Sequence, residues 1–134
     1  MCGIVGYTGV NQAAPILLDG LSKLEYRGYD SAGIAVVQDN KILLKKHVGG
    51  IANLENLIGD DPMSSGTGIG HTRWATHGEP SEDNAHPHCS DDMNVIAVHN
   101  GIIENQEELK EKLLRHGYEF YSDTDTEVAV KLVD

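Results

Sequence analysis

At 134 residues, with 40% apolar and 23% charged residues, the chain has the makeup of one globular domain with a continuous core, which excludes wholesale disorder. Ten Lys and Arg against 21 Asp and Glu leave a formal charge of −11, the wrong sign for non-specific binding to nucleic acid or to an anionic membrane. The first residues carry no basic segment leading into an apolar run, so they do not read as a secretory signal, and no stretch is long enough to span a bilayer.

In chain order, Gly3 to Tyr7 is short, apolar and β-branched, and reads as a buried strand. A helix is expected from about Asn11, with Pro15 in its first turn and Ala14, Leu17, Leu18, Leu21 and Leu24 on one face. Arg27-Gly28-Tyr29-Asp30 is a turn. Ala32–Gln38 and Lys41–His47 flank the polar pair Asp39-Asn40, the pattern of a hairpin. Ile51–Ile58 suggests a short helix ended by Gly59, and 60–68 a polar connection. Thr67–Trp74 and Met93–His99 read as strands. Between them, Ala75–Asp92 is a long polar segment of the kind that carries function when ordered. Asn105 with Glu108, and Thr124 with Glu127, carry capping-box spacing. The first pair opens a helix through Leu109, Leu113 and Leu114 that closes at Gly117. The second opens one with Val128, Ala129, Leu132 and Val133 as its apolar face. Asp134 falls inside that last pattern with no stop signal, so the chain is expected to be a fragment of a longer protein. Strands framed by helices point to an α+β, layered fold.

Two cysteines, Cys2 and Cys89, are too few for a disulfide framework, and free thiols fit a reducing, cytoplasmic setting. Position two gives Cys2 an unusual chemistry. A thiol attacks as thiolate and needs a base to become one. Once Met1 is removed, the α-amino group of Cys2 has an ordinary pKa of about 7.7–8.0 and can take that proton, so one residue supplies nucleophile and base. The bland reading is a small residue at a loose terminus, which two residues alone do not exclude.

The rest of the chain does. Met1-Cys2-Gly3-Ile4-Val5-Gly6, the run from Glu25 through Tyr26-Arg27-Gly28-Tyr29-Asp30 to Gly33, and the run from His71 through Arg73-Trp74-Ala75-Thr76-His77 to Ser81 resemble the class II amidotransferases. Asn84-Ala85-His86-Pro87-His88 and His99-Asn100-Gly101 through Asn105 add to this, and within that family they resemble the branch that uses fructose 6-phosphate as acceptor. The resemblance implies a four-layer αββα sandwich of the N-terminal-nucleophile hydrolase type, here truncated. Residues 1–134 would be the N-terminal portion of a type 2 glutamine amidotransferase domain, without its later strands and without the sugar isomerase domains. It also implies that Cys2 attacks the amide of glutamine, releasing ammonia and leaving a thioester for water. No cofactor and no metal is implied, and fructose 6-phosphate is expected only through the absent domains.

Site roles follow from the same resemblance. Asn100 and Gly101 would supply the side-chain and backbone donors for the oxyanion, although Asn-Gly is also a common tight turn. Arg73 would clamp the α-carboxylate of glutamine in a bidentate fork and Asp125 its α-ammonium, while an Asp there also suits a helix start. Thr76 and His77 would add substrate contacts. Trp74 is read either as a lid over the site or as core. Arg27 with Asp30 would brace the site, and His86 and His99 would order its loops by hydrogen bonding. His86, His88 and Cys89, with His71 or His77, invite a metal reading, but no second cluster stands at zinc spacing. Cys89 is read as an inert small residue. The competing class is a module that binds glutamine or self-associates, as a homodimer or larger, without turning glutamine over.

Overall fold

Strand β1 (Gly3–Thr8) leads into helix α1 (Ala13–Leu24) and a 3₁₀ turn over Glu25–Arg27. The computed structural model describes residues 2–27, 30–59, 61, 63–74 and 79–134, Arg27 by its backbone alone. Pro15 sits third in α1, where its missing N–H has no intrahelical partner to lose. The orphan N–H of Ala13 instead donates to the Ser65 carbonyl at 2.7 Å, while Gln12 Oε1 accepts from Ser65 N–H at 3.0 Å. Leu17 and Leu21 are fully buried on the predicted face, each worth roughly 2 kcal/mol of apolar burial.

The hairpin forms as expected from β2 (Ser31–Gln38) and β3 (Lys41–Val48). Asp39 and Asn40 take φ of 53° and 62°, the two left-handed residues that match the twist of a two-residue turn. Helix α2 (Ile51–Ile58) stops at Gly59, and β4 (Thr67–Arg73) follows. Among the described residues these strands form one antiparallel sheet in the order β1-β4-β2-β3.

Alternation divides that sheet into two faces. Ala32, Ile34 and Val36 join Leu17, Leu21, Ile51, Leu54 and Met63 in the core under α1 and α2. On the same face, Gly68 and Gly70 leave room for Leu17 and Leu21. The opposite face carries Gly33, Ala35, Ile69, His71 and Arg73. Against it lie the 83–87 segment and a small second sheet of β5 (His88–Cys89) and β6 (Ile96–Ala97). Gly33 is required there: a Cβ would stand 2.1 Å from the His86 carbonyl oxygen. Helices α3 (Gln106–Arg115) and α4 (Asp125–Val133) form the outer layer, α4 packing on β5 and β6. The sequence of layers is helix, sheet, sheet, helix, an α+β arrangement. No helix among the described residues is long and apolar enough to cross a membrane.

Three expectations need correction. The strand expected over Met93–His99 shrinks to Ile96–Ala97, because Met93 turns left-handed at φ 61°. Around it, Ser90 folds its own loop, its Oγ accepting from the N–H groups of Asn94 and Val95. Neither capping box forms, and neither Asn105 nor Thr124 makes a side-chain cap bond. Thr124 Oγ1 instead meets His88 Nε2 at 2.7 Å, and the Glu127 carboxylate reaches upstream to the N–H groups of Tyr121 (3.0 Å) and Ser122 (2.7 Å). The face of α4 is correspondingly different. Leu132 and Val133 are exposed, while Glu127 and Lys131 are buried with Val128 and Val130.

Candidate active site

The alternation that builds the sheet also gathers the site. Gly3 pairs with Thr72 and Ile4 with His71, so even positions of β1 and odd positions of β4 share the inner face. Cys2, His71 and Arg73 are thereby brought to one edge of that face. The Cys2 Sγ accepts from the Trp74 N–H at 3.2 Å, and its S–H is directed at the Trp74 carbonyl oxygen at 3.5 Å. From 98 residues away, Asn100 Nδ2 donates to the Cys2 carbonyl oxygen at 3.1 Å. Gly101 follows at φ +150°, a backbone that L side chains rarely adopt, with His99 Nε2 3.1 Å from where its Cβ would be.

Arg73 is almost fully buried and donates to the Glu79 carbonyl oxygen at 3.1 Å, while its own carbonyl accepts from Asp30 N–H at 3.1 Å. Asp30 thus braces β4 through its backbone. Asp125, at the first residue of α4, is buried and accepts from Ile103 N–H through Oδ2 at 2.8 Å, which ties the helix start to the segment that carries Asn100 and Gly101. Cys2 and Asn100 are therefore in direct contact, Arg73 precedes the Trp74 backbone that meets Cys2, and Asp125 is tied through Ile103 to the segment carrying Asn100 and Gly101. Trp74 is half exposed, which removes the core reading; its backbone is what meets Cys2. Thr76, His77 and the side chain of Arg27 lie outside the described residues.

The histidines organise the site differently from expectation. His86 is buried but orders its loop by stacking: its ring lies 4.1 Å from that of His71 and 4.6 Å from that of His88, and among the described residues its Nδ1 meets no hydrogen-bond partner. His99 Nδ1 faces Thr126 Oγ1 at 3.4 Å, a long contact between the Asn100 segment and α4. His88 bonds Tyr121 Oη through Nδ1 at 2.8 Å as well as Thr124 through Nε2. Burial depresses all three histidines, His71 to about 4 and His86 and His88 further, and Arg73 lowers each of them as well. They stand neutral at neutral pH. Cys89 is half-buried, its N–H donating to Tyr121 Oη at 3.1 Å. No three His, Cys, Asp or Glu side chains among the described residues are grouped to hold a metal ion.

Two further residues matter: Lys46, which the sequence reading passed over, and His71, which it weighed only as a metal ligand. Lys46 sends its ammonium from β3 to the carbonyls of Ala85 (2.9 Å), Asp83 (3.4 Å) and Pro87 (3.5 Å), clamping the polar segment onto the sheet. His71 Nε2 lies 2.8 Å from Asn100 Oδ1. Its signal was present in the sequence: in a strand, positions 71 and 73 face the same way, so whatever Arg73 faces, His71 faces too.

Cys2, at the start of an edge strand, thus has the Asn100 amide on its carbonyl oxygen, and the side chains of Arg73 and Asp125 are both buried. Residues 71–134 match the family model described as a glutamine amidotransferase domain. The whole chain is 61% identical to the glutamine–fructose-6-phosphate aminotransferase of Clostridium perfringens, and 133 of its residues align at 56% with that of Shewanella oneidensis. In each case the chain spans 22% of the relative's length. Among solved structures, the glutamine phosphoribosylpyrophosphate amidotransferase of B. subtilis superposes with a TM-score of 0.79 at 29% identity, over 96% of this chain and 28% of that one. An allosteric regulatory enzyme of purine biosynthesis gives 0.81 at 30%, over the same shares. The chain shares the N-terminal-nucleophile hydrolase fold of these glutamine amidotransferases. Within that class it matches, from end to end, the N-terminal part of glutamine–fructose-6-phosphate aminotransferases.

Proposed function

We propose that residues 1–134 form the N-terminal portion of a type 2 glutaminase domain that hydrolyses glutamine to glutamate and ammonia through a thioester on Cys2. The observation that carries this is the contact of Asn100 Nδ2 with the Cys2 carbonyl at 3.1 Å, which sets an oxyanion donor beside the candidate nucleophile. With Met1 removed, the neutral α-amine takes the thiol proton as sulfur attacks the amide carbon of glutamine. The oxygen becomes an oxyanion that a second Asn100 N–H and the Gly101 N–H stabilise. The intermediate collapses, the C–N bond breaks, and the ammonium proton passes to the leaving nitrogen as ammonia departs. Water then cleaves the thioester through the same oxyanion site. Arg73 takes the substrate α-carboxylate and Asp125 its α-ammonium, with Trp74, Thr76 and His77 as further contacts and Arg27, His86 and His99 in support.

In the parent protein the ammonia converts fructose 6-phosphate to glucosamine 6-phosphate on domains beyond this segment. The reaction belongs to the cytoplasm, where the thiol stays reduced. An electrophilic glutamine analogue should add to Cys2, as read by mass, in the processed full-length protein. It should fail to do so where Met1 is retained or in Cys2→Ala, and ammonia release should vanish in both. Equal labelling with Met1 attached would sink the amine-base mechanism. Ammonia release surviving Cys2→Ala would sink the site. A second reading, in which the 134-residue chain alone binds glutamine or self-associates without turnover, is favoured by its spanning only 22% of its relatives.

A further inference from the structure

We infer that His71 is a positioning residue for Asn100: its Nε2–H holds the amide oxygen, so that the amide NH₂ is presented to Cys2 and to the substrate oxygen. The inference rests on the reading of Cys2 and Asn100 given above, and its argument is one of donors and acceptors.

The Cys2 carbonyl oxygen can only accept, so the Asn100 atom 3.1 Å from it must be the nitrogen. That fixes the orientation of the amide. Oδ1 then faces His71 Nε2 at 2.8 Å, and because Oδ1 can only accept, Nε2 carries the hydrogen. His71 is therefore the neutral Nε2–H tautomer. Its other nitrogen, Nδ1, is buried and has no hydrogen-bond partner among the described residues, which suits a lone pair far better than an N–H. Stacking on His86 at 4.1 Å and an interplanar angle of 16° restrains the orientation of the ring.

The alternative orientation carries a penalty. A flipped Asn100 would set its oxygen against the Cys2 carbonyl and lose the donor to the oxyanion. Among the described residues, the bond from His71 and the bond to Cys2 are what discriminate the two, and only the first of them lies outside the reacting residue. His71 itself stands one residue removed from the chemistry and does not touch the substrate.

The test uses the full-length protein with Met1 removed and two reactions at Cys2. Glutamine hydrolysis develops an oxyanion; alkylation by iodoacetamide, a direct displacement at carbon, does not. Asn100→Ala should lower kcat by roughly 10²–10³-fold, as expected for one oxyanion donor. His71→Phe keeps the ring and loses the donor, and should lower kcat by on the order of 10–10²-fold, short of the loss of the donor itself. KM and the alkylation rate should stay within about threefold. In the Asn100→Ala background His71→Phe should cost nothing further, since effects of residues acting through one another do not add. His71→Gln, which returns an N–H near the Nε2 position, should recover most of the rate.

A His71→Phe loss that multiplies with Asn100→Ala, or that falls equally on alkylation, would assign His71 a merely structural role and overturn the inference. Should His71→Phe fail to fold, nitrogen-15 shifts of His71 in the unaltered protein decide: a hydrogen on Nε2 from pH 5.5 to 8 is expected, and a hydrogen on Nδ1 refutes it. Failure of the underlying reading looks different. The unaltered protein would then neither release ammonia nor alkylate selectively at Cys2, whatever the tautomer of His71.

Discussion

The buried histidines show how much of this site is decided by desolvation of single residues. His71, His86 and His88 carry ordinary reference values near 6.5, and burial moves each downward, His71 to about 4. The sign follows directly. Below pH 6.5 the unfolded chain binds protons that the native state refuses, so stability is full above that pH and falls as pH drops towards the native values. Each histidine contributes a slope of about 1 kcal/mol per pH unit within that window. The unfolding midpoint should therefore fall between pH 6.5 and 4.5, and His86→Phe, which keeps a stacked ring, should flatten the slope; equal slopes for the two proteins would refute the assignment. Cys2, Arg73, Asn100 and Asp125 were singled out through the family resemblance, because taken alone a cysteine at a terminus and an Asn-Gly turn have bland readings. The histidine stack was not readable, because ring-on-ring contact between β4 and the 83–87 segment depends on how a loop folds back.

At the level of elements, what was legible is what local physics decides. The β2–β3 hairpin follows from Asp39-Asn40 between two apolar runs, and α2 from its spacing and Gly59. The misreadings around α4 share a cause: a polar side chain found another partner than the one its spacing suggested. Thr124 left its capping role for His88, and Glu127 turned to the Tyr121 and Ser122 amides. Glu127 also pairs with Lys131 at 3.2 Å, both being buried, and Lys131 reaches Asp91 at 2.6 Å. Burial pulls the Lys131 ammonium down, but the bonds from Asp91 and Glu127 outweigh it and raise it. Removing Glu127 leaves the buried Lys131 with Asp91 alone and strips the Tyr121 and Ser122 N–H groups of their acceptor. Glu127→Ala should therefore cost about 3–5 kcal/mol in denaturant unfolding. Lys131→Met, which removes the buried cation instead, should cost less. A loss under 1 kcal/mol for Glu127→Ala would mean that α4 is held by Val128 and Val130 alone.

For the whole molecule, the order β1-β4-β2-β3 leaves β1 and β3 as edges among the described residues. Unpaired edges invite pairing with a second copy, and Ile4, Val37 and Val48 add exposed apolar surface near them. The 134-residue chain is expected to self-associate despite its charge of −11, and sedimentation should show a dimer or larger species at micromolar concentration. A clean monomer would count against it. The α+β layered class was legible from strand and helix patterns, and the four-layer order only through the family resemblance; in the second sheet one strand, Ile96–Ala97, was overestimated in length and the other, His88–Cys89, was read as loop.

The edge position of β1 also sets an order of events. Its one sheet partner among the described strands is β4, which begins at Thr67, whereas β2 and β3 can pair as soon as they exist. At a synthesis rate of roughly 5–20 residues per second, the first strand made then waits about 3–12 s for its partner. Through that interval the amino terminus has no ladder to lie in and stays open to the peptidase that removes an initiator methionine. The topology thus keeps β1 unpaired until β4 exists: on the proposed chemistry, the amine can be unmasked before the pocket that uses it can form.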